Sequence, residues 1–331
     1  MADLQLMTDA ARRAMVNVLE LKPTDRVLVV QDPECWKCSQ AFLAAAEAEG
    51  CTTTAYVLPE EGRPLQAMPD DMAATLEDQD VVINIMSGSS DEVPFRIEWL
   101  NLIEGLGLRL GHSPNIQEDM MDGGPMDVDY GQMVLRADRL LDALEGAVSV
   151  HITAPAGSDF SLDLTDRRFV TDVKITEKER GVNLPCGEIY GAPVEDGAEG
   201  VVVADGSIGG EGPPPSPVSL ELKAGRVETV HCADAAWQER INELLDVDDG
   251  ARVIAELGIG LNPGARLVGF MLEDEKAYRT IHVAFGSNEG MPGGVNISAT
   301  HIDYLITMPT MTARFADGSE RVILEDGDIL P

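Results

Sequence analysis

Arg26-Val27-Leu28-Val29-Val30 is a short aliphatic run led in by Pro23-Thr24-Asp25. A continuous apolar stretch of this length, bounded by turn residues, reads as a strand covered on both faces, the pattern of a parallel sheet. Upstream, Leu4 to Leu21 carries apolar residues at helical spacing, so a helix feeds that strand. Downstream, Cys35 to Gly50 is alanine-rich and helical, Thr52 to Leu58 is strand-like, and Val81-Val82-Ile83-Asn84-Ile85-Met86 is a second buried strand. Phe95 to Leu106 and Tyr130 to Leu144 are helical again. Strands alternating with helices predict an α/β fold with helices over a parallel sheet.

The texture changes at Gly146. Short alternating segments follow, such as Val148-Ser149-Val150-His151-Ile152-Thr153 and Val218-Ser219-Leu220-Glu221-Leu222 before the turn Ala224-Gly225-Arg226. Gly209-Gly210-Glu211-Gly212-Pro213-Pro214-Pro215-Ser216-Pro217 cannot lie in a central strand and reads as a rigid loop of polyproline character. A chain of 331 residues is long for one core. The expectation is an α/β, parallel-sheet N-terminal domain over residues 1–146 and a β-rich (α+β) metal-binding C-terminal domain over residues 147–331.

Lys and Arg number 24 against 58 Asp and Glu, a formal charge of −34. That balance argues against nucleic acid or an anionic membrane as a partner, since phosphate binding needs a basic face. A thick carboxylate coat suits high salt, where screening weakens its self-repulsion. No stretch approaches the roughly 18 apolar residues of a membrane span, and Met1-Ala2-Asp3-Leu4-Gln5 has no basic region ahead of an apolar core, so a soluble cytoplasmic protein is expected. The five cysteines, Cys35, Cys38, Cys51, Cys186 and Cys232, are odd in number and irregularly spaced, as reduced thiols are.

Acidic and imidazole residues of the second half form one pattern. Glu188 closes Asn183-Leu184-Pro185-Cys186-Gly187-Glu188, a turn between extended segments that presents its carboxylate. Glu256 stands inside the apolar, glycine-punctuated run Val253 to Gly260, where a carboxylate is costly unless paired or metal-bound. His282 lies within Thr280 to Gly286, on the side of a strand opposite Ile281 and Val283; alone it reads as a core histidine. His301-Ile302-Asp303 offers an imidazole and a carboxylate from one side of a strand to one point. Carboxylates and neutral imidazoles together hold zinc, cobalt or manganese.

The chain resembles the thermophilic metalloaminopeptidase family, the aminopeptidase T and aminopeptidase S type of leucyl aminopeptidase. The likeness covers most of the chain and rests on Gly157-Ser158-Asp159-Phe160, on Asn183 to Glu188 with Ala192-Pro193 and Gly200, on Glu256 to Gly260 with Asn262, on Glu273-Asp274-Glu275-Lys276, on His282 to Gly286, and on Gly293-Gly294 ahead of His301-Ile302-Asp303. The resemblance implies two divalent cations per chain, with Glu188, Glu256, His282, His301 and Asp303 where the family places ligands. It also implies a homodimer and a peptide or small-molecule substrate hydrolysed by a metal-activated water, with Glu188 or Glu256 taking the proton and Glu188 named as the catalytic residue. A family tyrosine expected seven residues after the first histidine is replaced by Glu289. The chain also resembles the 2,5-dihydroxypyridine ring-cleaving dioxygenases of the same superfamily, which use one non-haem Fe(II); His282, His301 and Asp303 would supply two histidines and a carboxylate. A third reading is a non-catalytic small-ligand binder.

Three further features carry bland readings. Cys35-Trp36-Lys37-Cys38 follows a strand and opens a helix, the setting of a redox Cys-x-x-Cys, yet reads as structural. Ser87-Gly88-Ser89-Ser90-Asp91 follows a strand without a Gly-rich phosphate motif and reads as a loop. Cys186, Met120 and Met121 read as packing residues.

Overall fold

The computed structural model describes residues 2–331, with the backbone alone of Ser90; Met1, which heads the amino-terminal stretch read for a leader, lies outside the described residues. The chain divides into two compact units, Met1–Gly131 with Asp172–Cys186, and Gln132–Thr171 with Gly187–Pro331. A single cut at residue 146 does not express this division, because one short segment from beyond that point returns to the first unit. Hydrophobic periodicity reports which face of an element is buried and not which core buries it.

In the first unit, Asp3 accepts the Gln5 N–H at 2.8 Å and caps helix α1 (Leu4–Val18), whose buried residues Met7, Ala10, Ala11, Ala14, Met15 and Val18 fall at helical spacing. Strand β1 (Arg26–Gln31), helix α2 (Trp36–Ala48), strands β2 (Thr52–Val57) and β3 (Val81–Met86), helix α3 (Val93–Gly105), strand β4 (Arg109–Pro114) and the short helix α4 (Glu118–Met121) follow. Helix α5 (Tyr130–Leu144) carries the chain into the second unit, which holds β5 (Ala147–Thr153), β6 (Asp159–Asp163) and β7 (Val170–Thr171); β8 (Gly181–Asn183) lies back in the first. The sheet of the first unit runs β2-β1-β3-β4-β8, with every pairing parallel. β3 is buried at every residue and β1 at all but Arg26, whereas edge strand β2 is mostly exposed, so only the central strands need continuous apolar sequence.

The rest of the second unit comprises β9 (Glu188–Gly191), β10 (Ala198–Ala204), β11 (Val218–Lys223), β12 (Arg226–His231), α6 (Ala235–Leu245), β13 (Ile254–Gly260), α7 (Met271–Asp274), β14 (Thr280–Gly286), β15 (His301–Thr307), β16 (Thr310–Phe315), β17 (Glu320–Glu325) and β18 (Asp328–Ile329). One sheet runs β12-β11-β10-β6-β5-β16-β17-β18 and another β15-β14-β13-β9-β7, both antiparallel throughout. β13 and β14 are buried at every residue, so any polar side chain they carry must find a partner inside.

Candidate metal centre

Ladder register places all five candidate ligands on one face of the five-stranded antiparallel sheet. Glu188 pairs with Gly260, and His282 with Gly258, while Glu256 and Asp303 both oppose Ala284 and His301 opposes Gly286. Residues directly opposite in a ladder share a face, and residues two apart on a strand do so again. Glu256 shares a face with Gly258 and Gly260 by strand alternation, and a β-bulge lies just before it, where Ile254 pairs with Phe285 but Glu256 pairs with Ala284, leaving Ala255 as the extra residue.

Two glycines make the room. A Cβ on Gly258 would lie 2.0 Å from His282 Nε2, so the imidazole lies across the strand where a side chain would stand. A Cβ on Gly260 would lie 1.9 Å from the Ala277 carbonyl oxygen, and its absence admits the Lys276-Ala277 backbone beside Glu188.

The side chains converge in two groups that share Glu256. Glu188, Glu256 and His282 form one and Glu256, His301 and Asp303 the other, each with one ligand atom per residue within 4.8 Å of the others. His282 Nε2 lies 3.3 Å from Glu256 Oε1 and 3.5 Å from Glu188 Oε2. His301 Nε2 lies 3.1 Å from Glu256 Oε2 and 3.4 Å from Asp303 Oδ1. The His301 Nδ1–H donates to the Ser287 carbonyl at 2.7 Å, which leaves Nε2 facing the carboxylates, the tautomer a ligating histidine needs. His282 Nδ1 is buried without a hydrogen-bond partner. Three carboxylates and two imidazoles, with one imidazole nitrogen oriented from behind, fit divalent cations with nitrogen and oxygen donors.

Electrostatics bind the cluster together. Burial opposes charge on Glu256, but hydrogen bonds and charge from His282 and His301 hold its carboxyl well below the usual range. Burial likewise opposes a charged His282, yet Glu256, with added charge from Glu188 and Asp303, pulls its pKa up to about 9. Asp303 and Glu256 raise His301 well above its ordinary value against the same burial. Divalent cations must therefore displace protons from both imidazoles.

Two neighbours entered the sequence reading only within the segment Glu273 to Lys276, with no role at the site. Lys276 is 0 % exposed, and its ammonium pairs with Glu188 and, at 2.5 Å, with Glu275 Oε1. Burial raises the pKa of Glu275 despite the charge of Lys276 beside it. In Glu273-Asp274-Glu275-Lys276 the first pair holds the preceding loop, through Arg266 at 2.8 Å and the Val268 and Gly269 N–H groups at 2.8 Å, and the second pair turns toward the site. Adjacent opposite charges ordinarily read as a solvated helix end, so only burial separates Lys276 from that reading. Glu289 is exposed and belongs to neither ligand group.

A model of the family described as thermophilic metalloprotease (M29) matches residues 132–329, more than half of the chain. The chain belongs to that family. The M29 match spans both ligand groups. No curated protein sequence matches the chain. The M29 chain shares its fold with 2,5-dihydroxypyridine dioxygenase from Pseudomonas putida KT2440, at 20% identity and a TM-score of 0.74 over 100% of this chain and 98% of that one. It shares it equally with wild-type AmpT from Thermus thermophilus, at 19% identity and a TM-score of 0.73 over 99% of each chain. Likeness at such identities speaks for the fold.

The Cys35-Trp36-Lys37-Cys38 segment keeps its structural reading. Cys35 and Cys38 are buried, and burial first, with nearby negative charge, pushes both thiols up to about 12, the opposite of a reactive pair. No helix among the described residues is long and apolar enough to cross a membrane.

Proposed function

We propose that this M29 chain is a metal-dependent, aminopeptidase-like hydrolase acting on a peptide or small amide. The observation that carries the reading is Glu256, whose two oxygens face imidazoles of different ligand groups, as suits a carboxylate shared by two cations. Glu188, Glu256 and His282 would hold one ion and Glu256, His301 and Asp303 the other, with zinc, cobalt or manganese compatible. Bound there, such ions acidify a water and polarise a substrate carbonyl. On the family resemblance Glu188 is the carboxylate assigned to accept the proton, with Glu256 as the alternative. His301 is the most exposed of the five, at 31 % of its side chain, and marks the side from which substrate enters. A homodimer accompanies this reading on family resemblance, and a cytoplasmic location on the sequence reading.

A mononuclear Fe(II) ring-cleaving dioxygenase is the second reading, favoured by the equal likeness to the Pseudomonas enzyme. It requires His282, His301 and Asp303 around one ion, whereas among the described residues the two histidines fall in different groups. Elemental analysis of protein purified without chelators separates the readings. Two zinc, cobalt or manganese ions per chain support the hydrolase, about one iron supports the dioxygenase, to be checked by oxygen uptake with a dihydroxylated ring, and no metal after reconstitution supports a non-catalytic binder. His301→Ala should lose metal and hydrolysis together; full metal content in that variant would refute the site.

A further inference from the structure

A lysine with no exposed side chain is expensive to keep in a protein unless its charge is answered nearby. Lys276 is such a residue, and it is answered by the carboxylates of Glu188 and Glu275. It arrives beside Glu188 because Gly260, directly opposite Glu188 in the ladder, lacks the Cβ that would collide with the Ala277 carbonyl. Lys276 turns toward Glu188 Oε1, while Glu188 Oε2 faces His282. Lys276 thus pairs within the first ligand group, while Asp303 of the second acts on Glu275 through charge.

We infer that Lys276 is a built-in counter-ion of the first ligand group: its ammonium engages one oxygen of Glu188 and lowers that group's affinity for a divalent cation. The inference rests on reading Glu188, Glu256 and His282 as metal ligands, but not on which reaction they serve. Like charges repel, so a fixed ammonium beside Glu188 opposes a cation there while it stabilises the metal-free carboxylates. Lys276 is thus a positioning residue. It makes the first group weaker than its carboxylate content implies and acts on the second only at longer range.

The test is calorimetric titration of metal-free protein with Zn²⁺ and with Mn²⁺, for the wild type, Lys276→Met and Glu275→Gln. In Lys276→Met one of two binding events should tighten about tenfold, equivalent to about 1.4 kcal/mol, while the other stays within about threefold. Metal-free Lys276→Met should also melt earlier, with the loss recovered on adding metal. Glu275→Gln leaves the ammonium less compensated and should weaken the same event, so the inference remains testable if Lys276→Met does not fold. A weaker event in Lys276→Met, an equal change in both events, or a tighter event in Glu275→Gln overturns it. A wild type that binds no divalent cation instead overturns the ligand assignment itself, whereas failure of the hydrolase reading alone leaves these titrations unchanged.

Discussion

Single atoms decide whether the centre assembles. Gly258 is the clearest case, since one methyl group there would occupy the position of the His282 imidazole edge, with no backbone freedom at issue. Gly258→Ala should keep the fold, at an overpacking penalty of about 1–3 kcal/mol, and displace His282 enough to weaken metal binding in the first group. Isothermal titration checks this; unchanged affinity would mean the imidazole has another place to go. His112 makes a separate prediction in the first unit. Burial, with help from the charge of Arg96, lowers its pKa to about 4, below its ordinary value near 6.5. The unfolded chain therefore takes up this proton first as pH falls, so the stability associated with neutral His112 is present above about pH 6.5 and is lost on descending toward pH 4. His112→Gln should flatten the stability profile in that window by up to about 1.4 kcal/mol per pH unit, measured by urea unfolding at several pH values. Identical slopes in the two proteins would show that the folded-state shift is absent.

At the scale of elements, the alternation along β13 sets the site. Glu256, Gly258 and Gly260 share the face that carries Glu188, His282, His301 and Asp303, and the bulge residue Ala255 lies just before them. Deleting Leu257, between Glu256 and Gly258, should therefore turn Glu256 to the other face, remove the shared carboxylate and abolish binding in both groups, with circular dichroism used to confirm retained strand content and elemental analysis to count ions. A deletion variant that still loads both ions would show that the sheet re-registers. The same strands explain what could be read in advance. β15 put His301 and Asp303 on one side by alternation alone, and the sequence placed Glu256 in an apolar run where its charge demanded a partner. The bulge was not legible, because alternation in a strand buried on both faces leaves no polar side to reveal a skipped step. Lys276 was equally hidden, since it lies outside any strand and its burial is made by the glycine opposite Glu188.

Across the whole molecule, the charge of −34 is the dominant field. Self-repulsion of that size destabilises a compact state and is screened by salt, so the melting temperature should rise with KCl concentration from low ionic strength to above about 1 M, where the Debye length is about 3 Å. A flat or falling curve by scanning calorimetry would show that paired carboxylates, such as those in Arg167–Glu195 and Arg252–Asp246, outweigh the net repulsion. By itself the sequence determined the parallel sheet of the first unit, the β-rich character of the second and the identity of five candidate ligands, because each of these follows from local periodicity and residue chemistry. Tertiary structure alone decided that residues Asp172–Cys186 belong with the first unit, that Glu256 is shared between two ligand groups, and that Lys276 stands beside Glu188. Those facts depend on strand register and close backbone approach between segments far apart in the chain, which periodicity within any one segment does not encode.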